Sequence, residues 1–373
     1  MRAFSRLLVV EFCLASTASL AAQEFRPKGS GIPAAEVDKA IQKGLGWLKS
    51  VPPKSGVPTS RSDDTNELVL YTLLHGGLGV SDPVLAEYLK RTVDREADRV
   101  YNAAIGAMAL AKVDRAGYQW KLVQQAQFLL DNQCENGQWA YGSAVDPAKV
   151  PGEWVTWKGS PYGAKYPPNY KPGNPKSTVS GRRIGVLQRS RVSKVGDNSN
   201  AQYAALGLRA CAEADLMLDP RCLQDALRWW ESDQNKDGSW GYSRGEDDAG
   251  RATMTAGGAG SIVIYRWMLH KPWIDEPHIK KGMEWLDVNV EGKLSRWQVY
   301  YLYAVERVGM LYGTDRIGQD EWYDQGARWL IDHQATNGSW RNVSDTCFAI
   351  LFLRRATAPL PSVASVGRAP EEK

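Results

Sequence analysis

The chain has 373 residues, 46 Lys and Arg against 42 Asp and Glu, a formal net charge of +4, and 43% hydrophobic residues. That composition excludes a disordered chain, and so small a charge excess gives no argument for nucleic acid, which needs Lys and Arg gathered into a stripe or patch. The length suits one large domain or two medium ones, and the outlying quantity is 15 Trp.

The chain starts MRAFSRLLVVEFCLASTASLAAQEF. Arg2 and Arg6 precede an apolar run, which Glu11 interrupts, and the small residues Ser19 and Ala21 follow. This is the pattern of a secretory signal over residues 1–22. No stretch supplies the ~20 uninterrupted apolar residues of a spanning helix. The expected mature protein is therefore secreted or periplasmic, with no integral membrane span. Removing Cys13 leaves Cys134, Cys211, Cys222 and Cys347. Cys211 and Cys222 flank a short connection between helices. They either bridge, if their Cα atoms come within about 7 Å, or stay as buried thiols.

From there the chain reads as paired helices. Amphipathic segments are expected at Ala34–Ser50, Pro83–Asp94, Tyr118–Gln133, Asp219–Gln234, Pro277–Asn289 and Gln319–Gln334. Each is followed by a segment with a polar start and a small-residue-rich apolar body, beginning at Asp63, Arg99, Asp197, Ala252, Ser295 and Ser344. A helix apolar around most of its circumference is buried on both sides, whereas an amphipathic one keeps a charged face in water. Six inner helices ringed by six outer ones make an all-α, (α/α)6 toroid of about twelve helices over residues 23–358. An open solenoid is the alternative.

Three first helices end alike. QAQFLLDNQCENGQWAYG, DALRWWESDQNKDGSWGY and QGARWLIDHQATNGSW carry Gln133, Gly137 and Trp139, then Gln234, Gly238 and Trp240, then Gln334, Gly338 and Trp340. The period, roughly 100 residues, is two of the ~50-residue helical hairpins found in large repeat folds. Gly stops the helix because it adopts φ > 0 without strain, and the Trp beyond it can fold back over the helix end as a staple to the neighbouring hairpin. KGLGWLKS from Lys43 and KGMEWLDV from Lys281 keep only the first half of this pattern.

The helical pattern stops over 143–196, where a Pro, Gly, Tyr and Trp-rich insertion carries ten Lys and Arg. Lying between an outer helix and an inner one, it is expected to emerge beside the ring's mouth, with Trp154, Trp157, Tyr162, Tyr166 and Tyr170 available to cover a ligand. Residues 359–373 read as a flexible tail.

The complete motif at Gln325–Trp340, a Gln-Gly-x-x-Trp-Leu half followed by Gln-x3-Gly-x-Trp, resembles the QW repeat of the prenyltransferase and squalene-oxidase superfamily. That superfamily holds triterpene cyclases and the β-subunits of protein prenyltransferases, and the resemblance implies an α/α toroid. Its catalytic equipment does not carry over whole. The Asp-x-Asp-Asp acid motif of the cyclases lacks its first Asp both at RSDD, which holds Asp63 and Asp64, and at GEDD, which holds Asp247 and Asp248. These four are the weak catalytic candidates. Asp63 or Asp64 also suits a helix N-cap, and DDTNE matches a Mg²⁺ motif that belongs to another helical fold. The zinc site of the prenyltransferases has its Asp-x-Cys half at Asp345 and Cys347, but no His follows, so no metal and no cofactor is expected.

With all inner helices parallel, their N-termini share one end of the ring and favour anions there. The residues expected at that ligand-binding rim are Asn102, Asn198, Ser199, Asn200, Thr253, Thr255, Trp297, Gln298, Tyr300 and Asp345, with Tyr101 beside them. The reading is an exported toroid that binds an apolar or anionic-headed small ligand, or a glycan, at this rim and in the central cavity. The alternatives are an isoprenoid-processing enzyme and a polysaccharide-active α/α-ring enzyme.

Overall fold

The computed structural model describes residues 28–53, 65–143, 184–191, 193–243, 249–289 and 298–360. The outer helices are α1 (Ala34–Lys49), α3 (Pro83–Asp94), α5 (Gln119–Asp131), α7 (Pro220–Ser232), α9 (Pro277–Asn289) and α11 (Trp322–Asp332). The inner ones are α2 (Asn66–His75), α4 (Val100–Asp114), α6 (Asn198–Ala212), α8 (Ala252–Met268), α10 (Gln298–Tyr312) and α12 (Val343–Leu353). Each inner helix packs on the next, and α12 packs back on α2, so the circle is closed. The described residues form an α/α toroid of twelve helices.

Burial follows the expected division. Every residue of α6 from Asn198 to Cys211 is buried, whereas α3 buries only Leu85, Tyr88 and Thr92. Local caps set the starts: Asp82 accepts from the amides of Val84 and Leu85, Asp197 from that of Asn200, and Asn342 from that of Asp345.

The repeated ending has one geometry in all three copies. The indole N–H of Trp139, Trp240 and Trp340 donates to the carbonyl ten residues earlier, on Leu129, Trp230 and Leu330, at 2.7, 2.9 and 2.8 Å. All three rings are buried. The Gln amide bridges two carbonyls: Gln133 to Gly137 and Cys222, Gln234 to Gly238 and His278, Gln334 to Gly338 and Ala40. Each staple thus joins one outer helix to the following one, α5 to α7 and α7 to α9. The third joins α11 to α1 across 294 residues of sequence and closes the ring.

The half-motifs in α1 and α9 now have a reason. Trp340 lies where a Cβ on Gly44 would sit, 2.9 Å away, and Trp240 lies 2.8 Å from the same position on Gly282. These glycines are the sockets for the preceding staple's indole.

Two small sheets were not expected. β1 (Ile184–Val186) pairs in parallel with β2 (Leu216–Leu218), and β3 (Arg316–Ile317) pairs antiparallel with β4 (Asp320–Glu321) before α11. The first sheet places the end of the insertion. The chain leaves at the mouth, where the Ser143 amide binds Asn132 Oδ1. It re-enters beside β2, past the C-terminal end of α6, and runs along α5 and α7 back to Asp197. Its Trp154, Trp157, Tyr162, Tyr166 and Tyr170 lie outside the described residues. Beyond α12 the chain stays packed to Leu360, which is buried.

Candidate functional site

Several of the residues expected at the rim serve the ring itself. Asn198 is fully buried and its amide is saturated: Oδ1 accepts from Gln138 and Trp229, and Nδ2 donates to Asp233 and Gly241. Thr255 Oγ1 accepts from the Trp240 amide and so fixes a staple. Asn102 donates to Glu67 at 2.6 Å, with Arg95 3.5 Å from the same carboxylate. Asp345 is the third residue inside α12; its amide binds the capping Asn342 Oδ1 and its carboxylate accepts from Asn342 Nδ2. Burial raises the Asp345 pKa, and Arg341 and Asn342 oppose that. With Gln298, Trp329, His333, Trp340 and Arg341, Asp345 lines a hollow of about 110 Å³. Thr253 is half-buried in the first turn of α8. Asp63, Asp64, Asp247, Asp248 and Trp297 lie outside the described residues.

The remaining rim residues form one connected system. Asp197 accepts from Ser199 Oγ at 2.6 Å, from the Asn200 amide at 2.8 Å and from Asn200 Nδ2 at 2.7 Å. Tyr101 stands between Ser199 and Tyr300, close enough for its hydroxyl to interact with both. Tyr300 accepts from Gln202 Nε2 at 2.9 Å, and Gln202 Oε1 accepts from Arg307 Nη2 at 2.6 Å. A chain of polar contacts therefore runs from a carboxylate at the mouth to a guanidinium nine residues into α10, about 13 Å along the helix axis.

Aromatic rings wall this system. Tyr101 and Tyr203 have centroids 4.5 Å apart, Tyr203 stacks on Tyr300 at 6.4 Å, and Phe348 lies 5.4 Å from both Tyr300 and Tyr303. Arg307 sits over Tyr303 at 4.5 Å and Tyr203 at 5.3 Å. Burial pushes the Tyr101, Tyr203, Tyr300 and Tyr303 hydroxyls up from their ordinary value, so they stay neutral O–H donors. Arg307 is 4% exposed, its Nη1 has no hydrogen-bond partner, and no carboxylate among the described residues is in ion-pair contact with it.

Arg307, Gln202, Tyr203 and Tyr303 escaped the sequence reading, which looked only at the first turns of the inner helices. The signal was there in SRWQVYYLYAVERVGMLYG, where Glu306 and Arg307 interrupt a helix otherwise fit for full burial.

Among the described residues, one potential metal cluster lies on the outer wall. Ligand atoms of Glu231, Glu276 and His278 lie within 4.8 Å of one another. Arg266 Nη1 stands 3.2 Å from Glu231 and 3.9 Å from Glu276, so a guanidinium already supplies the positive charge there. Cys211 and Cys222 are buried, unbridged thiols, both pushed up by burial.

No protein-family model matches the sequence, and no curated protein matches it. Solved structures match the fold. A type II terpene cyclase variant from Scytonema, in complex with merosterolic acid A, aligns at TM-score 0.51 and 12% identity over 86% of this chain and 97% of that one. An inactive variant of an alpha-1,6-mannanase from Salegentibacter sp., in complex with alpha-1,6-mannotriose, aligns at TM-score 0.50 and 10% identity over 86% and 98%. A possible member of the GH105 family from Salmonella enterica aligns at TM-score 0.51 and 11% identity over 89% and 96%. The architecture is thus an α/α toroid, the fold that a terpene cyclase and a mannanase share, and identities this low carry the fold alone.

Proposed function

We propose that this chain is an exported toroid protein that binds a small ligand at the mouth of its ring. Arg307 and the tyrosine hydroxyls hold an anionic or strongly polar head, and the rings of Tyr101, Tyr203, Tyr300 and Phe348 cover an apolar or sugar-ring body. Export rests on the basic, apolar and small-residue pattern of residues 1–22; no helix among the described residues is long and apolar enough to cross a membrane.

The observation that carries the reading is the state of Arg307. A buried cation costs several kcal/mol unless a counter-charge compensates it, and here the direct contacts are one amide oxygen and two ring faces, with the buried Glu306 carboxyl attracting it without an ion-pair contact. The neighbouring Glu306 is engaged by Thr357 instead, through its amide at 2.8 Å and its hydroxyl at 2.7 Å. An anionic ligand supplies the missing charge, and six inner-helix N-termini favour its entry. Two proteins of the same fold were solved in complex with merosterolic acid A and with alpha-1,6-mannotriose, which supports an α/α toroid as a holder of ligands of either kind.

The test compares the parent with Arg307→Met in native mass spectrometry and in thermal melting. Replacing a poorly compensated buried charge by an apolar side chain of similar length is expected to hold or raise stability, by up to about 4 kcal/mol, while an acidic co-purifying ligand is lost. An unchanged ligand complement together with a lower melting temperature would make Arg307 a structural residue and end the proposal.

A further inference from the structure

A second concave site lies on the outer wall, away from the mouth. The returning insertion and α7 enclose a hollow of about 610 Å³, lined by Arg189 and Arg191 on one side and Arg221, Gln224, Asp225 and Arg228 on the other, with Gln188 and Ser190 between. We infer that this hollow is a binding site for a ligand carrying closely spaced oxyanions of the phosphate or sulfate type.

The hollow is built rather than incidental. The returning segment is bolted down through its own backbone and one buried-facing amide: the Gln188 N–H binds Asp219 Oδ2 at 3.2 Å, the Arg189 N–H binds Asp131 Oδ1 at 2.7 Å, and Gln188 Nε2 reaches Leu130 O at 2.7 Å and Gln133 Oε1 at 3.0 Å. The last contact ties the segment to the first staple, so its position is fixed by the ring.

Two carboxylates then organise three guanidinium groups. Asp225 lies between Arg191 and Arg228 and pairs with both. Asp219 forks Arg221 through Nε at 3.2 Å and Nη2 at 3.0 Å. Holding each guanidinium by one edge removes rotamer freedom before a ligand arrives and leaves other N–H groups facing the hollow. The side chains of Arg221 and Arg228 are 75% and 73% exposed, so those donors are accessible.

Charge and lining decide the ligand class. Four Arg line the hollow against one lining carboxylate, Asp225, with Asp219 and Asp131 behind the wall, so the described lining is predominantly basic. Among the described residues, no aromatic ring lines the hollow to stack on a neutral sugar, and the lining side chains are all polar or charged, with no apolar floor for a lipid chain. Guanidinium forks match the planar pairs of oxygens on phosphate and sulfate, and several in one hollow favour two such groups over one.

The experiment is calorimetric titration of the full chain with pyrophosphate, inorganic phosphate and a sulfated disaccharide, repeated at raised salt and with the double variant Arg221→Gln, Arg228→Gln. Both side chains are largely exposed, and Asp219 keeps the Arg221 and Gln188 amides, so the variant is expected to stay folded with at most a small fall in melting temperature. Expected are binding of pyrophosphate or the disaccharide, weaker binding of phosphate, loss of affinity with salt, and a drop of about ten-fold or more in the variant. Which of the two probes binds identifies the source of the oxyanions. No heat with any probe, or equal affinity in parent and variant, would overturn the inference. Arg307→Met should leave this binding unchanged, which separates it from the reading of the mouth.

Discussion

Glu306 and Arg307 show how one pair of adjacent residues in a buried helix can serve unlike ends. Glu306 is fully buried and takes both hydrogen bonds of Thr357, in the segment that follows α12. Burial raises its pKa from 4.5 to about 7, against the opposing pull of Thr357 and of the Arg307 and Arg209 charges. The folded state therefore binds the Glu306 proton more tightly than the unfolded chain does. The sign follows from linkage: this contribution is fully present below pH 4.5 and is lost as pH rises through about 7, on the order of 3 kcal/mol. Glu306→Gln keeps the shape and removes the titration. Denaturant melts of parent and variant across pH 4–8 should show the parent losing stability relative to the variant as pH rises. A constant difference between the two would show that Glu306 does not titrate in this window.

Among the elements, the staple is the unit that repeats, and its parts depend on one another. Gly338 has φ +90°, and a Cβ there would lie 2.4 Å from the Lys43 carbonyl oxygen; Gly137 and Gly238 meet Asp225 and Lys281 in the same way, at 2.5 Å. Backbone of the following outer helix thus passes over each glycine, and only Gly serves there on both counts. Trp340→Ala removes a buried indole and its bond to Leu330 O, at a cost of about 3–5 kcal/mol and a fall in melting temperature on the order of 5–10 °C. A melting temperature within a degree of the parent's would contradict the stapling role. The twelve helices and the staple were legible in the sequence because 3.6-residue periodicity, caps and the Gln, Gly and Trp spacing are all local signals. The socket role of Gly44 and Gly282 was not, since it depends on which helix follows which in space. The wall of Tyr203, Tyr303 and Arg307 was hidden for the same reason: deep in an inner helix, a residue facing the ring centre and one facing the outer layer look alike in one dimension. The place where the insertion rejoins the ring was not legible because it is set by a three-residue strand, too short to announce itself in composition.

For the whole molecule, closure is what distinguishes a toroid from an open array of hairpins. In an open array, stability is close to a sum of neighbour terms, and a terminal unit frays on its own. Here α1 is held by α11 and α12, elements some 300 residues away in sequence, through the Gln334 bond to Ala40, the Trp340 indole against Gly44, and the Arg328 pair with Glu36 at 2.6 Å. The third staple is therefore a seam, whereas the second joins helices already close along the chain. Two substitutions of equal chemistry should then differ in where they loosen the protein. Trp240→Ala is expected to raise amide hydrogen exchange in α7 to α9, within one stretch of sequence. Trp340→Ala should raise it at both ends together, in α1 and in α11 to α12, while α4 to α8 keep their protection, because opening the seam converts the circle into an arc whose two ends have lost their partner. Exchange in Trp340→Ala that rises only near residue 340, with α1 as protected as in the parent, would mean that the N-terminal helix holds its place without the staple and that closure contributes little to the fold.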